Sequence, residues 1–414
     1  MPIYHTLGQI PKKRHTVFRK PNGGIYAEEL MGHEGFTGTS ALLYHVHPPT
    51  TVKSVRRLCE TALQADPDNA LRHRHFLTSH VKQGGSPTLD RIPILFNQDI
   101  AMLYVEPDKE DEHFYRNAQA DELVYVAKGK GLLETVFGEL PFGEGDYLII
   151  HRGILHRYRF DTFAPGTASE GAERRSRAAT EEAPKLLVFE SRGHVRWPKR
   201  YRNEFGQLKE GAPYSERDIR LPLKLNTHDE MGDFRLLVKQ YDGINELILD
   251  HHPFDVIGWD GYFYPWAFNI RDFEPIVGRV HQPPPVHQTF EGDGFVVCSF
   301  CPRPYDFDPN AVPAPYNHSN VDSDEVLYYA SSEFMSRKGI EFGSITHHPD
   351  GIPHGPHPGR AEASIGATHT NELAVMMDSF RPLKVAKQAL SIEDPNYHKS
   401  WIDQQHDGFN PPTS

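Results

Sequence analysis

At 414 residues, with 38% hydrophobic and 24% charged side chains, the chain has the make-up of a globular protein long enough for two domains or one large double unit. Its 56 acidic against 44 basic residues leave a formal charge of −12, which argues against a nucleic-acid groove. Three cysteines cannot build a disulfide framework, and no apolar run is long enough to cross a membrane. The opening MPIYHTLGQIPKKRHT lacks the apolar core of a secretory signal, so the cytoplasm is the expected location.

Thirty-four prolines and 33 glycines are scattered through the chain and long helical periodicities are few, which predicts a mainly β protein of short strands joined by turns, with few short helices. Residues 1 to about 50 read as loops with short strands such as Ala41–Tyr44, and Thr51–Ala65 as a short surface helix ended by Asp66-Pro67. From Ile92 to Phe160 the pattern is strongly β. Asp161–Pro184 is polar with clustered charge and reads as a surface excursion before strands resume at Lys185–Glu190, Leu236–Val238 and Glu246–Leu249. The aromatic run from Phe254 to Phe268 is expected to pack in a core, with a ring-binding wall as its second use. In GRVHQPPPVHQTFEGDG a proline run holds His281 and His287 apart on an extended segment. Cys298 and Cys301 lie inside a strand-like run and read as core-facing thiols rather than a redox or zinc pair. Glu372–Phe380 reads as a last strand, Pro382–Ala389 as a short helix or turn, and the remainder to Ser414 as a polar tail.

The most informative stretch is PYNHSNVDSDEVLYYASSEFMSRKGIEFGSITHHPDGIPHGPHP, Pro315–Pro358. His318 is followed seven residues later by Glu325, which opens the apolar run Val326–Tyr329. Asp324 competes to be the carboxylate, but it sits in the polar turn DSD, and Glu325 is preferred. Gly343, Pro349, Gly351 and His354 then read as strand, turn and strand, the turn aiming His354 back at the first strand. Two histidines and one carboxylate are the ligand set of a non-haem Fe(II) oxygenase, which leaves positions open for substrate and dioxygen. A weaker copy occurs earlier, with Asn117 and Glu122, then Gly145, His151, Gly153 and His156. Glu122, His151 and His156 are an alternative ligand set, although hydrogen bonding within the barrel is the preferred account of them. The expected division is therefore an N-terminal domain over 1–255 without metal and a C-terminal domain over 256–414 that carries it.

The paired half-motifs resemble those of the cupin superfamily, which implies a bicupin of two jelly-roll barrels. WDGYFYPWAFNIRDF, YNHSN, PHGP, PNYHKSW, IYAEELMG and FYRNAQADELVYVAKGKG further resemble the homogentisate 1,2-dioxygenase family, in order and along nearly the whole chain. That resemblance implies an Fe(2+) enzyme that adds both atoms of O2 to homogentisate, giving maleylacetoacetate in tyrosine and phenylalanine catabolism. It implies His281 as the general base, with His287 as the spare candidate, and a substrate pocket touched by Tyr316, Phe334, Arg337, His348 and His354. His347 is an alternative to His348. Phe334 stands where the family has a tyrosine and Arg337 where it has a lysine, so gentisate or another hydroquinone is the alternative substrate. A bicupin that only binds a small molecule is the alternative of another class. The family also implies a homo-oligomer, a trimer or a hexamer.

Overall fold

The computed structural model describes residues 3–68, 70–82, 84–163, 182–282, 284–332 and 334–402. Most of the Asp161–Pro184 excursion and the tail beyond residue 402 therefore lie outside the described residues. The described chain is mainly β, with one five-residue α-helix, Arg360–Ser364, and short 3-10 turns. The fold is the bicupin expected. No described helix is long and apolar enough to cross a membrane.

The chain forms two compact units, neither of which is a single stretch. The first comprises residues 1–64, 82–272 and 291–293; the second comprises 65–81, 273–290 and 294–414. The single boundary expected at 255/256 thus gives way to a later one. The reason lies in strand pairing: Val256–Gly261 is antiparallel to Thr37–His45, and Trp266–Asn269 to Asp146–Ile150, so both are sewn into the first unit.

In the first unit, Trp266–Asn269, Asp146–Ile150, Asp121–Lys128, Lys185–Ser191, Ile100–Val105 and Ile92–Phe96 follow one another in one sheet. A second sheet runs Gly138–Phe142, Gly131–Thr135, Leu155–Phe160, Phe114–Asn117, Met231–Gln240, Gly243–His251 and Val52–Glu60. Val52–Glu60 corrects the helix expected over Thr51–Ala65. Every residue of this strand is exposed and it pairs on one side only, with Gly243–His251. Charged positions that resemble a polar helix are here the lysine and arginines of a sheet edge, which discourage further pairing. The aromatic run supplies core: Trp259, Tyr264, Trp266 and Phe268 are all buried.

In the second unit, Phe295–Phe300, Ala374–Ser379, Asp324–Tyr329, Ser344–His348 and Arg74–Leu77 form consecutive strands of one sheet. Arg303–Pro304 pairs with His369–Thr370 in a separate ribbon. Asp324–Tyr329 is central and wholly buried, and period-two alternation splits it into two faces. Leu327 and Tyr329 join Cys298, Ala374 and Met376 in an apolar cluster, and Glu325 belongs to that same face. Asp324 belongs to the other. Cys298 and Cys301 are both buried and neither forms a disulfide, as expected of core residues.

Candidate metal centre and its cavity

Local backbone structure brings the two ligand-type histidines together. His318 N–H donates to the His354 carbonyl at 2.8 Å and His354 N–H returns the bond to His318 at 2.9 Å, an isolated antiparallel bridge. The turn leading into it needs Gly351, whose φ of +80° is left-handed backbone that a side chain would strain. Glu325 arrives from the neighbouring strand. His318 Nε2 lies 3.4 Å from Glu325 Oε2, and His354 Nε2 lies 3.3 Å from Glu325 Oε1. All three donor atoms are within 4.8 Å of one another.

Those separations suit a cation. Donors bound at about 2.0–2.2 Å in tetrahedral or octahedral arrangement sit roughly 3.0–3.5 Å apart. Among the described residues both ring nitrogens of His354 are buried without a hydrogen-bond partner, a costly state for polar atoms unless something else occupies the lone pair. The residues therefore fit a divalent metal. Burial alone would raise the Glu325 carboxyl, but His318, His348 and His354 hold it well below the usual range, so it stays anionic. Glu325 in turn lifts His318 above the ordinary imidazole value, against burial.

Asp324, the competing carboxylate, is spent elsewhere. It accepts from His347 Nε2 at 2.9 Å, from the Asp350 N–H at 2.9 Å and from the Leu383 N–H at 2.7 Å. His347 therefore faces away from the triad, and it is His348 that meets it. His348 Nδ1 is 2.8 Å from Glu325 Oε1, and its ring stacks on His354 at 4.6 Å. His348 is fully buried, with burial driving its pKa far down, and holds the Glu325 carboxylate.

A cavity of about 130 Å³ opens on the triad and is walled by Leu327, Phe334, Met376, Arg337, His281 and His287 among others. His281 is half exposed at its edge, its ring 5.3 Å from that of Tyr316. Tyr316 is itself largely exposed outside the lining. His287 is pushed down to about 3, first by burial and then by Arg303 and His281, and its ring lies tilted against that of Phe300 at 4.7 Å. Phe334 packs edge-on against Tyr329 at 4.9 Å. Arg337 is buried over the Trp401 ring and donates to the Gly355 carbonyl at 2.5 Å. No carboxylate pairs with it among the described residues, and its Nε has no acceptor.

Three groups near the site escaped sequence reasoning. The His73 ring stands 5.4 Å from His348 and 6.1 Å from His354, with Trp401 on its other side. Tyr397 OH lies 3.5 Å from His348 Nε2. Asp378, opposite Glu325 in the sheet, has a buried oxygen without a partner; burial, then Glu325, raises it to about 7. His73 and Asp378 carry no local motif, only a position across a strand or loop.

The alternative ligand set in the first unit is engaged otherwise. Glu122 takes a bidentate pair of bonds from Arg91, at 2.8 and 2.9 Å, plus one from Asn117 at 3.0 Å. His151 bonds Asp121, and His156 Nδ1 lies 3.0 Å from the Ile154 carbonyl.

No protein-family model matches the chain. A protein of Saccharolobus solfataricus assigned as a dioxygenase is 42% identical over 404 residues, covering 97% of this chain and 99% of its own length. Human homogentisate 1,2-dioxygenase is 23% identical, with 91% of this chain and 87% of the human protein aligned. A cupin barrel protein of Leptotrichia buccalis superposes over 78% of this chain and 100% of its own, with a TM-score of 0.31 and 10% identity. With a full-length relative at 42% identity and homogentisate dioxygenases behind it, the chain belongs to the homogentisate 1,2-dioxygenase-like family of cupin dioxygenases, as a divergent member.

Proposed function

We propose that the second unit opens the aromatic ring of a hydroquinone bearing a carboxylate, homogentisate first among them, using Fe(2+) held by His318, Glu325 and His354. The observation that carries this reading is the meeting, on one small cavity, of a histidine–glutamate cluster whose His354 ring nitrogens have no hydrogen-bond partner among the described residues with a buried Arg337 that no carboxylate pairs there. Ferrous iron supplies the electron path between triplet dioxygen and a singlet phenol, and its charge favours the phenolate.

The chain's own residues do the rest. Arg337 takes the substrate carboxylate in a bidentate grip, which fixes the ring's orientation. Leu327, Phe334 and Met376 pack its faces and keep water away. His281, at the cavity edge, accepts the phenolic proton as general base. His348 holds the Glu325 carboxylate in place. Tyr316 stands beside His281 at the entrance. Both oxygen atoms enter the product, a ring-opened diacid.

The test is oxygen consumption by the anaerobically iron-loaded protein, given homogentisate and then gentisate. Stoichiometric uptake with homogentisate supports the reading. Uptake with gentisate alone would move the substrate, since its carboxylate is attached directly to the ring and reaches Arg337 differently. Tight binding without uptake would make the protein a carrier or sensor. We further propose a cytoplasmic homo-oligomer, a trimer or hexamer, which light scattering of the purified protein would verify.

A further inference from the structure

The first unit contains a larger cavity than the one on the metal cluster, about 540 Å³, and the proposed reaction has no use for it. That volume lies in the range of small-molecule sites. Part of its wall is aromatic: Trp197 and Trp266 meet edge-to-face at 6.0 Å, and Tyr262 and Phe205, both exposed, line it too, beside the polar Glu34 and Gln207. At its base are His33 and His194, ring centroids 3.8 Å apart.

One carboxylate decides the proton positions on these rings. Asp121 accepts from His151 Nδ1 at 2.9 Å, from His194 Nδ1 at 3.0 Å, and from the Val195 and Arg152 N–H groups at 3.0 and 2.8 Å. Both Nδ1 atoms must therefore carry hydrogen. Trp266 Nε1 lies 3.3 Å from His151 Nε2, and an indole N–H only donates, so that nitrogen is an occupied acceptor. His151 is complete. His194 is not: its Nε2 keeps a lone pair with no hydrogen-bond partner among the described residues, on a ring that lines the cavity. Burial, then His151, pushes His194 down to about 4, so the ring is neutral at physiological pH.

Asp121, His151 and His194 lie close enough to suggest a cation site. Hydrogen bonding argues against it, because gathering those three on a metal through the facing ring nitrogens would break both imidazole bonds to Asp121 and set a ring N–H against the Trp266 indole. A carboxylate ligand is disfavoured too. The Arg196 guanidinium already pairs with Glu291 and Asp293, and that of Arg202 with Glu291. What is left is a chamber walled in part by aromatic rings, with the exposed Glu34 carboxylate also on its lining, which disfavours an anion further, and with the neutral His194 Nε2 as an acceptor inside it.

We propose that this cavity binds a small neutral phenol whose hydroxyl donates to Nε2 of His194. Asp121 is the positioning residue that fixes the acceptor tautomer. The site stands apart from the proposed ring-opening reaction and does not depend on it.

The test is a ¹⁹F NMR titration of the full-length, chelator-dialysed protein with 4-fluorophenol and, separately, with 4-fluoroanisole, which keeps the ring and loses the donor. We expect saturable binding of the phenol and about tenfold weaker binding of the ether, the worth of one good hydrogen bond. His194→Phe is expected to weaken the phenol by a similar factor, whereas Glu325→Gln leaves it unchanged, which separates this cavity from the one on the metal cluster. Should His194→Phe fail to fold, Gln207→Trp, which fills the chamber from its rim without touching Asp121, is expected to abolish binding. Equal affinity for phenol and ether, indifference to both first-unit variants, loss of binding in Glu325→Gln, or no saturable shift up to about 10 mM would each overturn the proposal.

Discussion

Replacing Arg91 by methionine tests the account of the first unit most directly. The guanidinium is buried and grips Glu122, itself completely buried, with two bonds of 2.8 and 2.9 Å. Arg91 Nη1 also lies 3.5 Å from Glu190, but Glu190 keeps Lys239 at 2.6 Å. The change also takes the Arg91 Nε donor from the Pro87 carbonyl, but the only charge it orphans is Glu122, left with a single bond from Asn117. Breaking one partner of a buried pair costs about 3–5 kcal/mol, because the remaining charge is uncompensated. In the wild type burial would raise the Glu122 carboxyl, but Arg91, His156 and Asn117 together hold it below the usual range. Its stabilising contribution is therefore present above the unfolded carboxylate range, near pH 4.3, and lost as pH falls through the lower folded value. In Arg91→Met the sign reverses. Burial then raises the folded Glu122 above its unfolded value, so the deficit should shrink as pH falls from 7 towards 5. Three of the four tryptophans, Trp197, Trp259 and Trp266, are buried in the first unit, so urea unfolding followed by their fluorescence reports on it. Arg91→Met/Glu122→Leu should recover much of the loss, since apolar residues of similar volume replace a buried pair at little cost. A deficit under about 1 kcal/mol, one independent of pH, or a double variant no better than the single would refute the reasoning.

The other expectations concern the second unit. Glu325→Gln should fold normally yet lose stoichiometric iron on anaerobic loading, read by metal analysis, whereas Asp324→Asn should keep iron. Asp324→Asn should instead lose about 1–3 kcal/mol in urea unfolding; burial would raise the Asp324 carboxyl, but His347 and two backbone N–H groups hold it below its usual range, so the wild-type advantage should fade as pH drops below about 4. His348→Ala should weaken iron retention or turnover by about 10–100-fold, the usual effect of removing a group that orients a ligand. Arg337→Gln should raise KM for homogentisate far more than it lowers kcat, with partial recovery in Arg337→Lys, measured by oxygen uptake. An aromatic thiol reagent should label Cys59 quickly and the other two cysteines only on unfolding, because Cys298 and Cys301 are buried and burial lifts the Cys301 thiol to about 11.

Residue types and spacings along the chain are enough for the β class, and they single out the His318, Glu325 and His354 cluster that the fold gathers within reach of one another. Each of these follows from local chemistry: period-two alternation, glycine at a left-handed turn, and ligand types at motif spacing. Thr51–Ala65 was misread because a charged edge strand and a polar helix have nearly the same composition. What the side chains meet was decided only in three dimensions. Strand register turned His348 towards Glu325 and His347 towards Asp324, put Asp378 across from the site, and brought His73 in from far upstream. Arg91, 31 residues from Glu122, filled one barrel with a guanidinium while the other kept an open cluster. A motif specifies which groups can bind a cation; whether they are free to do so depends on partners that only long-range packing supplies.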